Sequence, residues 1–347
     1  MFDFFIGILF FVSSFSFSEF TEIESCNNDD SFFIVCGFQN PEDLYLSPSQ
    51  NKIIISEFGS LAPNTKYGKI SFYDLVSESK GIPKFSYEEN TWGDLNCELK
   101  SRQLSPHGID LIQRDDGRYM LAVVNHLPNE SIELFELVEN DSIELIWRGC
   151  VDAPENKYFN DVALKTDGSF YITHMYDLDS SQWAIAFASM IKNSTGEVYF
   201  WNVDEGFSTV PNTSGSFPNG IDLDVKEENL YINYWFSGKT VKFNIKSLSA
   251  EFEHIGGGKD NLLVTDSGLW VAAHDYSGLE SLQCDYSIIQ CPLPFTIHHL
   301  ALENLDVLGV YSFSKGQMGA ATVALPYKNK IWLGSFHGDR IASFEFK

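Results

Sequence analysis

Short apolar runs separated by polar turns fill the chain from about residue 30 onward. Alternating, aromatic-rich runs bounded by Gly, Asn, Asp and Pro are typical of β-strands, and no long segment repeats its apolar residues every 3.6 positions. Six of these runs follow an equivalent polar turn: Ile53–Ile55, Met120–Val123, Phe170–Ile172, Leu230–Ile232, Leu269–Val271 and Ile331–Leu333. The pattern predicts an all-β protein built from a repeated unit.

A short polar slot precedes each of these turns, and the slots mark the repeat. Five slots carry polar side chains: Pro41–Leu44, Pro106–Ile109, Phe159–Val162, Pro218–Ile221 and Lys259–Leu262. The sixth, Gly319–Val323, holds only small residues and one threonine. The slots are roughly 40 to 65 residues apart, which leaves room for four strands per unit. The sequence therefore predicts a six-bladed β-propeller with four-stranded blades.

Closing such a ring requires a strand from one terminus to complete the blade built by the other. Phe32–Val35 is the predicted closing strand, and it should lie beside Ile341–Phe344 in the last blade. Residues 19–347 are predicted to form this single propeller domain.

The first 18 residues are strongly apolar, and Asp3 is their only charged side chain. An apolar stretch from Phe4 to Phe17 is shorter than the ~20 residues of a spanning helix. It predicts a signal peptide or a retained hydrophobic N-terminus, and thus a secreted or membrane-anchored protein. A retained segment would also allow lipid or membrane association.

Six cysteines follow this segment without the spacing of a zinc site. In an exported chain they predict disulfides, with Cys26–Cys36 and Cys284–Cys291 as local candidates and the other pairings open. Four Asn-x-Ser/Thr sequons, at Asn129, Asn140, Asn193 and Asn212, would make the protein a glycoprotein in a eukaryotic host.

The formal net charge of −25 argues against binding to nucleic acid or anionic membranes. It favours solubility and attracts divalent cations. The chain contains no Gly-x-Ser-x-Gly elbow and no phosphate-binding glycine loop, which disfavours a serine hydrolase or a nucleotide-binding enzyme.

The polar slots would converge at the axis of a ring, where their oxygen atoms suit a hard cation. Calcium takes six to eight oxygen ligands and mixes carboxylates with amide carbonyls. The candidate ligands are Glu42, Asn160, Asn219, Asp260 and Asn261. An Asn or Asp before a strand is more often a turn residue, but five such positions in phase favour a metal site.

Asp43 and Asp161 each follow a candidate ligand by one residue, so an extended chain should point them elsewhere. They could hold a second ion deeper in the channel, together with the Ile109 carbonyl. The alternative is that they accept hydrogen bonds from neighbouring backbone N–H groups.

Two histidines of one predicted blade could supply a base beside this site. His107 lies in a slot, and His126 ends the next strand, so antiparallel pairing could bring the two imidazoles together. A histidine with an ordinary pKa near 6.5 can accept a proton from water, and a second histidine can orient it. Satisfied structural histidines are the alternative. His274 ends an equivalent strand and could line the channel mouth.

These residues resemble the paraoxonase/arylesterase family over roughly residues 40 to 347. The motifs that carry the resemblance are Pro41–Leu44, Pro106–Ile109, Val124–His126, Asn160–Asp161, Phe217–Ile221 and Asp260–Asn261. The resemblance implies a six-bladed propeller with two calcium ions and a hydrolytic site for lactones and aryl esters. One departure is that the final strand, Ser343–Phe346, lacks the cysteine with which family members close the ring.

The resemblance also implies a role for each site residue. Glu42, Asn160, Asn219, Asp260 and Asn261 would hold the catalytic calcium, and Asp43, Asp161 and the Ile109 carbonyl the structural one. His107 and His126 would form a catalytic dyad, and Phe217 would line the substrate pocket.

The sequence thus predicts a secreted calcium-dependent carboxylic ester hydrolase, an arylesterase or lactonase that acts on small molecules. Two alternatives stay open. One is a related propeller enzyme, similar to gluconolactonase or strictosidine synthase. The other is a non-enzymatic propeller that uses calcium for stability and binds a partner.

Overall fold

The computed structural model describes residues 23–60, 66–276, 280, 284 and 289–346. The predicted N-terminal segment, residues 1–18, lies outside the described residues. Within them the strands, in chain order, are β1 (Phe33–Cys36), β2 (Pro41–Leu46), β3 (Lys52–Glu57), β4 (Lys69–Asp74), β5 (Ser79–Gly81), β6 (Lys84–Tyr87), β7 (Pro106–Gln113), β8 (Tyr119–Asn125), β9 (Ser131–Glu139), β10 (Ile143–Asp152), β11 (Lys157–Leu164) and β12 (Phe170–Asp177).

One helix, α1 (Gln182–Ile191), follows β12 in the described chain. The remaining strands are β13 (Val198–Asn202), β14 (Gly206–Thr209), β15 (Pro218–Leu223), β16 (Asn229–Tyr234), β17 (Lys239–Asn244), β18 (Ser249–Ile255), β19 (Gly258–Thr265), β20 (Gly268–His274), β21 (Phe295–Leu300), β22 (Val307–Phe313), β23 (Ala321–Tyr327), β24 (Lys330–Ser335) and β25 (Arg340–Glu345).

The strands form six sheets arranged as the blades of a β-propeller, which confirms the predicted fold. Blades one to five are β2–β5, β7–β10, β11–β14, β15–β18 and β19–β22. Blade two gains a fifth strand, because β6 pairs in parallel with β10 at its outer edge. Helix α1 also differs from the prediction, which contained strands only. The side chain of Ser181 caps this helix by accepting a hydrogen bond from the Ala184 N–H.

The sixth blade closes the ring as predicted. Strand β1 pairs antiparallel with β25, with Ile34 opposite Ala342, and β24 and β23 complete the sheet. Arg340 is fully buried and donates from its guanidinium to the carbonyls of Ile23, Ser25 and Gln317. Residues 23–36 are therefore held to the last blade by hydrogen bonds as well as by the sheet.

The hydrophobic core lies between neighbouring blades. Ile54 and Phe72 of blade one pack in one cluster with Leu121 of blade two, and each following pair of blades has an equivalent cluster. The clusters between blades five and six and between six and one complete the circle. Each blade therefore buries both sheet faces, and the polar inner strand edges are left to line the axis.

Three disulfides lie among the described cysteines, which confirms the two local pairs expected from the sequence. They are Cys26–Cys36, Cys97–Cys150 and Cys284–Cys291. Disulfides are typical of proteins that fold in an oxidising compartment. The Cys26–Cys36 pair lies within the closing segment and includes the last residue of β1. The described residues include no helix that is long and apolar enough to cross a membrane.

The innermost strand of every blade carries one extra residue at the start of its pairing with the second strand. The register slips between Pro41 and Asp43 in the first blade and between Pro218 and Ile221 in the fourth. The other four blades slip at the same place. A β-bulge re-aims the side chains around it. The polar slots of the sequence are these bulges.

Candidate functional site

Five blades each place a polar side chain near the axis from the bulge of the innermost strand. These side chains are Glu42 in β2, His107 in β7, Asn160 in β11, Asn219 in β15, and Asp260 with Asn261 in β19. In the sixth blade the position holds Ala320, and the neighbouring Thr322 hydroxyl donates to the Glu42 carbonyl at 2.5 Å.

Contacts among these side chains join the predicted ligands into one site. Asn261 Nδ2 donates to Glu42 Oε1 at 2.8 Å, and that oxygen lies 3.7 Å from His107 Nε2. Asn160 Nδ2 lies 3.3 Å from the same His107 nitrogen. On the other side, the Asn219 amide bonds to the Asp260 carboxylate. We call the space bounded by Glu42, Asn160, Asn219, Asp260 and Asn261 the cation pocket.

Four oxygen atoms of the cation pocket are buried and have no hydrogen-bond donor. They are Glu42 Oε2, Asn160 Oδ1, Asn219 Oδ1 and Asn261 Oδ1. Leaving a buried polar atom unsatisfied costs ~1–3 kcal/mol, so four in one place need a common partner. The chemistry of this set, amide and carboxylate oxygens without thiolate, fits a hard cation such as calcium.

The metal preference also follows from what the pocket lacks. Among the residues that the structure describes, no three His, Cys, Asp or Glu side chains cluster as metal ligands. Neutral amide carbonyls supply three of the four unpartnered oxygens instead. Zinc favours nitrogen and sulfur ligands, so the pocket is a poor zinc site.

Burial makes the carboxylates of the pocket costly to ionise without a cation. It raises the pKa of Glu42 well above its usual value, with Asp43 and Asp260 adding repulsion. Burial likewise raises the pKa of Asp260 to about 8. A bound cation would reverse this cost, because it stabilises the ionised form of each carboxylate.

Asp43 and Asp161 lie next to the cation pocket and bridge neighbouring blades. Asp43 accepts from the Leu44 N–H in its own strand and from the Ile109 N–H in the next blade, both at 2.8 Å. Asp161 does the same with the N–H groups of Val162 and Ile221. The backbone-bonding alternative is therefore what the structure shows. Each oxygen keeps a second lone pair, so a second cation stays a prediction.

Sequence reasoning missed two further aspartates that repeat this bridge. Asp110 accepts from Leu164 N–H of blade three, and Asp222 accepts from Val264 N–H of blade five, each at 2.7 Å. The signal was present in the sequence, because Gly-Ile-Asp-Leu occurs at residues 108–111 and again at 220–223. Burial raises the pKa of the Asp110 carboxyl to about 6.

The two predicted histidines contact each other as the sequence suggested. His107 Nδ1 lies 2.8 Å from His126 Nε2, and the ring of Phe58 packs against both imidazoles. The ring of Tyr158 stacks on His126 with centroids 4.3 Å apart. Burial lowers the pKa of His107 well below its usual value, and His126 lowers it further. Both effects favour the neutral form of the His107 imidazole beside the cation pocket.

Aromatic side chains lie near the cation pocket. Phe217 stacks on Phe236 at 4.4 Å and on Tyr176 at 5.6 Å, and its backbone φ of +62° is in the left-handed region. His274 lies 3.2 Å from Asp260 and accepts from the Trp235 indole N–H. Burial lowers the pKa of His274 to about 3. Both predicted pocket residues thus lie near the site, and their contact with substrate stays a prediction.

Comparison with known proteins gives the family. The model of the arylesterase family matches residues 40–340, which is most of the chain. The chain belongs to the arylesterase family. All the candidate site residues of this arylesterase-family chain lie within the matched range.

Two individual proteins are similar to this family member. "Mechanosensory abnormality protein 6" of Caenorhabditis elegans is 27% identical over 180 residues, which cover 50% of this chain and 46% of that protein. The chain thus matches less than half the length of that relative. A solved structure titled as a putative gluconolactonase aligns with a TM-score of 0.51 at 15% identity, covering 90% of each chain. This second likeness concerns the fold alone.

Proposed function

We propose that this arylesterase-family propeller is a secreted, calcium-dependent hydrolase of lactones and aryl esters. The observation that carries the proposal is the set of four unpartnered buried oxygens beside the His107–His126 pair. Family membership supports a lactonase or esterase reaction on a small molecule. The aromatic side chains near the pocket, Phe217 and Trp235 among them, suit an apolar or aryl ester.

The residues present would divide the work as follows. Glu42, Asn160, Asn219, Asp260 and Asn261 would hold calcium, which when bound supplies polarisation of the ester carbonyl and stabilises the developing oxyanion. His107 Nε2 faces Asn160 and Glu42 at the edge of the cation pocket, so it would take the proton from an attacking water. His126 would hold that imidazole in place, and Phe217 and His274 would bound the substrate. Asp43, Asp161 and the Ile109 carbonyl would hold a second calcium.

The direct test is hydrolysis of a short lactone panel and of phenyl acetate by the purified mature chain. Turnover should require calcium, disappear on chelation and return when calcium is added back. A sugar lactone in the panel separates this reading from a gluconolactonase-like enzyme. Turnover that survives complete calcium removal would contradict the proposal.

The histidine assignment has its own test. His107→Ala should lose at least 10²-fold in kcat/KM, the size typical of a lost general base, while calcium binding persists. Calcium titration by calorimetry checks the second part. Full lactonase activity in His107→Ala would show that the base is elsewhere.

A non-enzymatic propeller that binds a partner is the second candidate. The C. elegans relative is named for a mechanosensory abnormality rather than for an enzyme activity. An intact cation site does not by itself establish turnover. Calcium binding and stabilisation without hydrolysis of any panel substrate would favour this candidate.

A further inference from the structure

A carboxylate that the sequence did not single out extends the histidine pair. Glu130 lies four residues after His126, and its oxygens are 2.8 and 2.9 Å from His126 Nδ1. The other ring nitrogen of His126 faces His107 Nδ1 at 2.8 Å. The side chain of His126 is 1% exposed and that of Glu130 is 12% exposed. The three side chains form a chain of hydrogen bonds that leads to the cation pocket.

The chemistry of the groups indicates which atom donates and which accepts in each of these hydrogen bonds. A carboxylate accepts hydrogen bonds, so a neutral His126 beside an ionised Glu130 carries its proton on Nδ1 and offers the lone pair of Nε2. His107 then donates from Nδ1 to His126, which leaves His107 Nε2 unprotonated. The far end is compatible with this direction, because Asn160 Nδ2, a donor, lies 3.3 Å from His107 Nε2. Asn160 Oδ1 is thereby left for the cation pocket.

The turn that carries Glu130 is held by other contacts, which fix the position from which its side chain reaches His126. Asn125 Nδ2 donates to the Leu127 carbonyl and to Ser131 Oγ. Asn129 Nδ2 donates to Asp152 Oδ1 at 3.0 Å. Tyr158 covers the face of the His126 ring at an interplanar angle of 5°. The imidazole is thus fixed by stacking and by hydrogen bonds at both nitrogens.

We propose that Glu130 is a positioning residue that sets the tautomer of both histidines and keeps His107 Nε2 free to accept a proton. The role in catalysis rests on the proposed hydrolase function, whereas the tautomers do not. Without an acceptor at Nδ1, His126 would protonate Nε2 and donate to His107 Nδ1. His107 would then carry its proton on Nε2, and the base would be lost by tautomerisation alone.

Nitrogen NMR of the calcium-loaded full chain, labelled with ¹⁵N-histidine, tests the tautomers directly. Substitution of each histidine in turn assigns the signals. In the unsubstituted protein both His107 and His126 should be protonated at Nδ1, and Glu130→Leu should move both protons to Nε2. Glu130→Gln, which keeps an acceptor oxygen, should retain the original tautomers. Nε2–H tautomers in the unsubstituted protein would overturn the proposal even if Glu130→Leu does not fold.

Kinetics and calcium binding test the consequence. Glu130→Leu should lower kcat/KM for lactones by about 10²-fold or more and change calcium affinity less than twofold. Glu136→Gln is the matched control, because Glu136 lies on the same blade and pairs with Arg148 away from the dyad. Normal turnover in a Glu130→Leu protein with shifted tautomers would overturn the role in catalysis. Predicted tautomers in a protein that hydrolyses nothing would instead contradict the proposed function and leave the tautomer assignment standing.

Discussion

At the scale of single residues, the cation pocket is built from side chains that are ordinary in isolation. An asparagine before a strand is usually a turn residue, and nothing in Asn160 or Asn219 alone marks a ligand. Their oxygens become informative only because both are buried without a donor and lie in one pocket. Glu130 is the opposite case, since no repeat or motif marked it and only its contact with His126 reveals it.

Removing one amide of the pocket should weaken calcium binding without unfolding the protein. Asn219→Ala should lower calcium affinity by tenfold or more and abolish lactone turnover, because it deletes an unpartnered oxygen and the hydrogen bond to Asp260. Calorimetric titration with calcium measures the first effect. Asn244→Ala, which alters a turn amide at the outer edge of the same blade, is the control and should bind normally. Equal calcium affinity in the two variants would show that Asn219 is not a calcium ligand.

At the scale of elements, close approach between innermost strands explains the glycines of the slots. A Cβ on Gly220 would lie 2.6 Å from the Asn261 Cα in the next blade, and one on Gly108 would lie 2.6 Å from the Asp161 Cα. Real Cβ atoms do not come that close to backbone, so only glycine fits at positions 108 and 220. The aspartate bridges between blades depend on the same closeness.

Gly220→Ala should therefore disturb both stability and the pocket. Overpacking costs ~1–3 kcal/mol, and here it also pushes on the strand that carries Asp260 and Asn261. Denaturant unfolding and calcium titration should both show losses. In Gly309→Ala the new Cβ meets only the end of the Tyr311 side chain, so this control should unfold like the parent protein. If Gly220→Ala changed neither the free energy of unfolding nor the calcium affinity, neighbouring blades would have to move apart easily enough to accept the methyl group.

The disulfides should differ in how much they stabilise the protein. Cys97–Cys150 closes 53 residues of sequence and joins the loop after β6 to β10. Chain entropy predicts a contribution of ~4 kcal/mol for a loop of that length and ~3 kcal/mol for one of ten residues. Replacing Cys97 and Cys150 together by alanine should thus lower the free energy of unfolding more than replacing Cys26 and Cys36. Denaturant titration measures both, and the reverse order would contradict the entropic account.

At the scale of the whole molecule, the ring brings together carboxyl groups that the sequence spreads over three blades. Glu42, Asp43, Asp161 and Asp260 are buried together, and burial raises the pKa of each, to about 7 for Asp43. Individual aspartates far apart in sequence repel one another only once the propeller closes. Calcium bound at the axis would offset this repulsion.

Stability should consequently depend on pH in opposite ways with and without calcium. A carboxyl whose pKa is raised by folding binds protons more tightly in the folded state, so its contribution is present at low pH. That contribution is lost as pH rises from ~4, the unfolded value, through the folded values of about 7 and 8 for Asp43 and Asp260. Calcium-free protein should therefore lose stability between pH 5 and 8.

Thermal unfolding at several pH values, after chelation and dialysis or with excess calcium, measures this difference. Calcium keeps the carboxylates ionised, so the loaded protein should show a flat or rising midpoint over the same range. A calcium-free protein that gains stability from pH 5 to 8 would mean that the axial carboxylates are not strained in the folded state.

The number of blades, the closing strand, two local disulfides and the set of slots could all be predicted from the sequence. These features depend on periodic apolar residues and turn residues, which act over a few neighbours. The sequence did not determine the parallel strand β6 or the Cys97–Cys150 pair, because each depends on contacts between segments distant along the chain. Helix α1 was also missed, because no sequence pattern singled it out.

The tertiary structure determines how the slot residues are oriented. In β11 the bulge places Asn160 in the cation pocket and directs Asp161 to the N–H of Ile221 in the next blade. The same holds for Glu42 and Asp43. Ring closure then brings together oxygens from residues as far apart as Glu42 and Asn261. The sequence specifies which residue types occupy the slots, whereas packing of the blades into a ring brings their side chains together.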